Sequence, residues 1–77
     1  MDALDKARAE IDAVDAQLAA LFERRMAAVL AVAAYKKAHG LPIFDAAREA
    51  VVLDKAAARI QEPALRPYYR DHVQNMM

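Results

Sequence analysis

Residues 2–42 read DALDKARAEIDAVDAQLAALFERRMAAVLAVAAYKKAHGLP, and this stretch decides the fold. Its apolar residues recur at helical spacing: Leu4, Ala7, Ile11, Val14, Leu18, Leu21, Met26, Val29 and Val32. No glycine or proline interrupts the run before Gly40, which supplies a left-handed stop with Pro42 just beyond. The pattern predicts one helix over about residues 2–39. At 1.5 Å per residue that helix is roughly 57 Å long, whereas a compact globule of this chain length has a radius of gyration of about 11 to 12 Å. The other half of the chain cannot cover it. Its apolar stripe must bury against another long helix, most simply that of a second copy.

The chain has 77 residues, which allows one small domain, 1–77. A domain this short is marginal alone. Hydrophobic residues make up 58% of it, but 20 of them are Ala, which buries little area, so the core is thin. Eleven basic residues balance eleven acidic ones, which argues against non-specific binding of nucleic acid. The chain has no Cys, hence no disulfide, thiolate nucleophile or cysteine-based metal site. Its start, Met1-Asp2-Ala3-Leu4-Asp5, carries no apolar secretion segment. The longest uncharged apolar run, Met26 to Tyr35, is too short to span a bilayer. These features predict a cytoplasmic protein with no membrane partner.

Beyond Gly40 and Pro42, the remaining breaks are Pro63 and Pro67. A second helix is predicted over about 45–61, with Asp45 as N-cap. One face of it carries Arg48, Glu49, Val52, Leu53, Ala56 and Ile60. A third helix begins between Ala64 and Pro67, over about 65–77, with apolar positions at Leu65, Tyr68 or Tyr69, Val73, Met76 and Met77. The fold class is all-α, three helices.

Several charges lie on apolar faces. In the heptad series Leu4, Ile11, Leu18, Arg25, Val32, four positions are aliphatic and one is arginine. A buried arginine needs a partner, because an unpaired buried charge is costly. Its plain reading is a register-setting ion pair or a snorkelling side chain. Lys36 follows three turns later, about 20° around the helix, so two cations share one stripe. Arg24 and Lys37 point elsewhere, toward solvent. Arg8 lies near the stripe's edge, where a surface pair with Asp5 or Asp12 is the plain reading; Asp12 and Asp15 read as exposed helix acids, and Asp15, which shares the face of Arg8, is a further pairing partner for it. Arg48 and Glu49 open the second helix, where a first-turn salt bridge with Asp45 is the plain reading. His39 sits at a helix end, in a cap or dipole position, and His72 at a surface or interface. Taken together, cations and a carboxylate facing an apolar interior suit a small anion. The sequence has no Gly-rich phosphate loop, no Ser–His–Asp set and no paired metal-ligand motif, so no metal site is expected.

The stretch Arg8-Ala-Glu-Ile-Asp-Ala-Val-Asp15, then Leu18 to Arg25-Met26, then Tyr35-Lys36-Lys37, then Gly40-Leu-Pro-Ile-Phe-Asp45-Ala-Ala-Arg48-Glu49, resembles the all-helical chorismate mutases. The resemblance covers almost the whole chain. It implies three helices per chain, with two chains intertwined as a homodimer through their long first helices. It implies rearrangement of chorismate to prephenate in Phe and Tyr biosynthesis, without a cofactor. It implies that Arg8 from the partner chain joins Arg25 and Arg48 around the substrate carboxylates. Lys36 is then expected at a carboxylate and the ether oxygen, Asp45 and Glu49 at the ring hydroxyl, and Val32 in the apolar wall. Members of this class stand alone or are fused to other aromatic-pathway enzymes such as prephenate dehydratase, so a fused domain in the full protein is compatible with it. In the family the third helix continues about two more turns, with a Ser and then a Gln or Glu for the site. Here Met76-Met77 come before those positions, so the third helix looks truncated and weak activity is expected. Isochorismate-pyruvate lyases share the fold, but the Asp45-x-x-Arg48-Glu49 set favours the mutase. A non-catalytic helical dimerisation module is a further alternative. It explains the long helix but not Arg25 and Lys36 on its buried stripe.

Overall fold

The computed structural model describes residues 2–77, and its helices are α1 (Ala3–Ala38), α2 (Ala46–Arg59) and α3 (Arg66–Met76), with a 3-10 turn at Pro63–Leu65. No strand occurs among the described residues. The chain divides into two compact units, one ending at Ile43 and one spanning Phe44–Met77.

The first unit is α1 and its exit. At 36 residues, α1 is about 54 Å long. Asp2 caps its start by accepting the Asp5 N–H at 2.8 Å, the arrangement that supplies one of the orphan donors of a helix N-terminus. None of its residues is buried within the chain. Leu18 is 52% exposed, Val32 54% and Leu30 66%, and Leu4, Ile11, Leu21, Phe22 and Tyr35 are similarly open. Burying what remains of each large apolar side chain is worth roughly 1 kcal/mol. Helices owe most of their stability in proteins to such packing rather than to propensity. Within one chain, α1 lacks it.

The end of α1 is sharply made. Gly40 takes φ 66°, in the left-handed region. The Leu41 N–H reaches back to the Lys36 carbonyl at 2.8 Å and the Gly40 N–H to the Lys37 carbonyl at 3.4 Å. This pair of bonds is the Schellman arrangement, which satisfies the last carbonyls of a helix. A Cβ at residue 40 would meet nothing within 4 Å, so only backbone strain opposes substitution. Gly40→Ala is expected to destabilise the fold by about 1 kcal/mol, read as a lower urea midpoint with unchanged slope. His39 stacks on Tyr35 at 4.0 Å between ring centroids, and its Nδ1 lies 2.9 Å from the Tyr35 carbonyl oxygen, in keeping with a helix-end role.

The second unit is α2 packed on α3. Its small core is Ala56 and Val73, flanked by half-buried Val52, Leu53 and Ile60 of α2 and Tyr69 and Met76 of α3. Tyr69 therefore takes the inward position, while Tyr68 is 74% exposed. Helix α2 stops at Arg59, two residues short of expectation, and the chain turns extended at Ile60. Glu62 is extended as well, as a residue preceding proline must be. The Ile60 carbonyl accepts a hydrogen bond from Arg66 Nε at 2.9 Å. Arg70 Nη1 meets Asp54 Oδ1 at 2.8 Å across α2 and α3, an exposed bridge contributing under about 1 kcal/mol. No helix among the described residues is long and apolar enough to cross a membrane.

Candidate active site

Helix α1 carries Arg8, Arg25, Val32 and Lys36; the first turn of α2 and its cap carry Asp45, Arg48 and Glu49. On α1, Arg25 and Lys36 are half-buried although the aliphatic side chains around them are mostly exposed. Arg8 and Val32 are exposed. Lys36 is the most firmly placed of the set. Its carbonyl closes the cap of α1, and its Nζ donates to the Ile43 carbonyl at 3.1 Å. One residue thus holds the exit segment by both ends. An ammonium has three donors, so two remain for another acceptor. Ile43 enters through its backbone carbonyl, which no side-chain pattern announces.

In the second unit, Asp45 Oδ1 accepts the Arg48 N–H at 3.0 Å, and the Asp45 carbonyl accepts the Glu49 N–H at 3.0 Å. The first-turn salt bridge considered for Arg48 with Asp45 does not form. The carboxylate serves the backbone of Arg48, not its guanidinium. This leaves Arg48 exposed at the end of the helix dipole where a cation costs a few tenths of a kcal/mol to about 1 kcal/mol. Glu49 is half-buried and suits the dipole. Because Asn caps as well as Asp, Asp45→Asn is expected to change stability by less than about 0.5 kcal/mol while removing the charge. Thermal unfolding of the variant checks this.

The pairs considered for Arg8 with Asp5 or Asp12 are also absent. The one ion pair among the described residues joins Arg70 to Asp54. Arg8, Arg25, Lys36, Arg48 and Glu49 therefore have no ion-pair partner among them. On α1, Arg25 and Lys36 are half-buried and Arg8 is exposed, and Arg48 stands exposed at the start of α2; each of these cations keeps donors available to an acceptor.

The model of the family described as chorismate mutase type II matches residues 7–77, a span that takes in all seven of these positions. The chain belongs to the chorismate mutase type II family. Among curated proteins it is 37% identical over 84 residues to a T-protein of Haemophilus influenzae, covering 97% of this chain and 22% of that protein. It is 39% identical over 54 residues to a 4-amino-4-deoxychorismate mutase of Streptomyces venezuelae, covering 70% of this chain and 52% of that one. The chain thus spans about a fifth and about half of the lengths of these relatives. No solved structure matches it. All three helices fall within the matched family span, apart from the first residues of α1.

Proposed function

We propose that this chain is a chorismate mutase that converts chorismate to prephenate as an intertwined homodimer. The observation that carries the reading is the set of cations, Arg8, Arg25, Lys36 and Arg48, that lie within the matched family span and have no ion-pair partner among the described residues. The exposed stripe of α1 supports the dimer, since a second α1 supplies the burial that its own chain does not.

The reaction is an intramolecular, concerted shift. The ether C–O bond breaks as a C–C bond forms in the same molecule, so no proton, electron or nucleophile need be supplied. Two tasks are left to the protein. It holds a flexible dianion in the reactive chair-like shape, with its ends in contact. It stabilises negative charge as this builds on the ether oxygen. Arg25, Arg48 and the partner's Arg8 hold the carboxylates, where planar guanidinium forks fit in bidentate fashion. Lys36 places a compact positive charge at a carboxylate and the ether oxygen. Asp45 and Glu49 accept from the ring hydroxyl, and Val32 forms part of the apolar wall. The same arrangement uses no metal and no cofactor.

The Streptomyces relative favours a second reading of the substrate. Its name describes a chorismate with an amino group in place of the ring hydroxyl. Carboxylates at Asp45 and Glu49 accept from either group. Incubating the protein with each compound and identifying the product tests both. The mutase reading expects prephenate from chorismate, faster than the amino analogue reacts. Faster turnover of the amino analogue transfers the assignment to that substrate, and no product from either removes it.

A further inference from the structure

The apolar stripe of α1 carries four charged residues, Arg8, Asp15, Arg25 and Lys36. Three are cations. Asp15 is the lone acid, and it lies within about 20° of Arg8 and of Phe22 on the helix surface. An acid on the flank of an exposed apolar face asks for an explanation, because the pairing partner that the face will bury it against matters.

Within its own chain Asp15 has no ion pair and accepts no side-chain hydrogen bond among the described residues. Arg25, on the same stripe, is ten residues further along and has none either. Two copies of α1 that bury the same stripe lie either parallel or antiparallel. A parallel pair in register sets Arg25 against Arg25, Lys36 against Lys36 and Asp15 against Asp15, all repulsive. An antiparallel pair about a two-fold axis exchanges residues across the stripe's midpoint. The stripe runs from Leu4 to Lys36, so that midpoint falls at residue 20. Reflection about it exchanges 15 with 25, to within one residue. The same reflection brings Arg8 opposite the second copy's Val32, one turn before its Lys36. One register, set only by the ends of the stripe, thus pairs the acid with a cation and brings Arg8 to the other chain's cationic half.

We infer that Asp15 of one chain is a positioning residue for Arg25 of the other, bridging to its guanidinium across the α1–α1 seam. The inference rests on the homodimer proposed above. Asp15 and Arg25 lie on opposite flanks of the stripe, and the length of the arginine side chain spans the seam between them. A guanidinium has five N–H donors, so two can hold Asp15 while the others face the substrate. Asp15 fixes the plane of the fork and offsets its charge in the empty site. Each site is then built from Arg25 and Lys36 of one chain and from Asp15 and Arg8 of the other.

Subunit complementation tests this directly. Asp15→Asn is expected to lower kcat/KM for chorismate about tenfold, with Asp15→Glu retaining most of it. Asp15→Asn and Arg25→Ala chains are then unfolded and refolded together. A mixed dimer has one site with Arg25 from the first chain and an intact Asp15 from the second. Random exchange puts half of the molecules in mixed dimers, so the rate should rise to about a quarter of wild type. A rate equal to the mean of the two parents shows that Asp15 acts within its own chain, or not at all, and overturns the inference. A mixture of Arg8→Ala with Arg25→Ala chains is the control. If it complements while the Asp15 mixture does not, only the Asp15 inference falls. If it also fails, or if the wild-type chain sediments as a monomer, the shared-site homodimer falls and the inference with it.

Discussion

Arg25→Ala lowers kcat/KM for chorismate by roughly 10²- to 10³-fold and leaves the chain dimeric at micromolar concentration. The magnitude is that of removing one donor aimed at developing negative charge, about 2.7 to 4 kcal/mol. The direction follows from where Arg25 sits. It continues the series Leu4, Ile11, Leu18, Val32, is half-buried and has no ion-pair partner among the described residues. Were it only a surface cation, its loss would be neutral. Were it only a structural charge, its loss would fall on assembly. Alanine is the stronger helix former, so α1 itself is not weakened. Steady-state kinetics with sedimentation on the same sample reads both quantities. An unchanged kcat/KM removes Arg25 from the site, and a variant that loses activity only in proportion to lost dimer confines it to the seam.

Leu18→Asp is expected to abolish the dimer, most of the helix signal and activity together. Leu18 lies near the centre of the α1 stripe, and within one chain no residue of α1 is buried. A two-fold axis doubles the lesion, because both chains bring a carboxylate to the same seam. Burying each without a partner costs several kcal/mol, which is comparable with the entire stability of a domain this small. Glu23→Ala, on an exposed face of the same helix, should change neither association nor rate. Far-ultraviolet circular dichroism and sedimentation velocity are the readouts. A helical, active Leu18→Asp monomer is incompatible with the proposed assembly. For the same reason the wild-type melting temperature should rise with protein concentration, as it does whenever folding and association are linked.

The breaks between helices were legible in the sequence because they depend on single residues with special backbones. Gly40 takes the left-handed conformation that ends α1, and the Pro63 and Pro67 region separates α2 from α3. Asp45 as N-cap was legible for the same reason, since the cap bonds to a backbone N–H three residues on. Local rules were less reliable where two partners compete. Arg48 and Asp45, adjacent on a first turn, suggested a salt bridge, yet the carboxylate has a backbone donor closer at hand. Contacts that depend on the path of the chain were not legible. Lys36 Nζ finds the Ile43 carbonyl only because the Gly40 turn folds that segment back. Arg70 finds Asp54 only once α2 and α3 have docked. The choice between Tyr68 and Tyr69 has the same origin. Helical phase alone allows both, and the docking of α3 on α2 turns Tyr69 inward. The candidate site was legible as a pattern of charges on an apolar stripe, and periodicity alone could not say which chemistry those charges serve.

The most direct test is the specific rate of chorismate loss, followed by ultraviolet absorbance, over a dilution series that crosses the dimer dissociation constant. A shared site predicts prephenate as product and a specific rate that falls in step with the fraction of dimer. A specific rate that is constant into the monomer range, or a folded dimer that leaves chorismate untouched, would contradict the account.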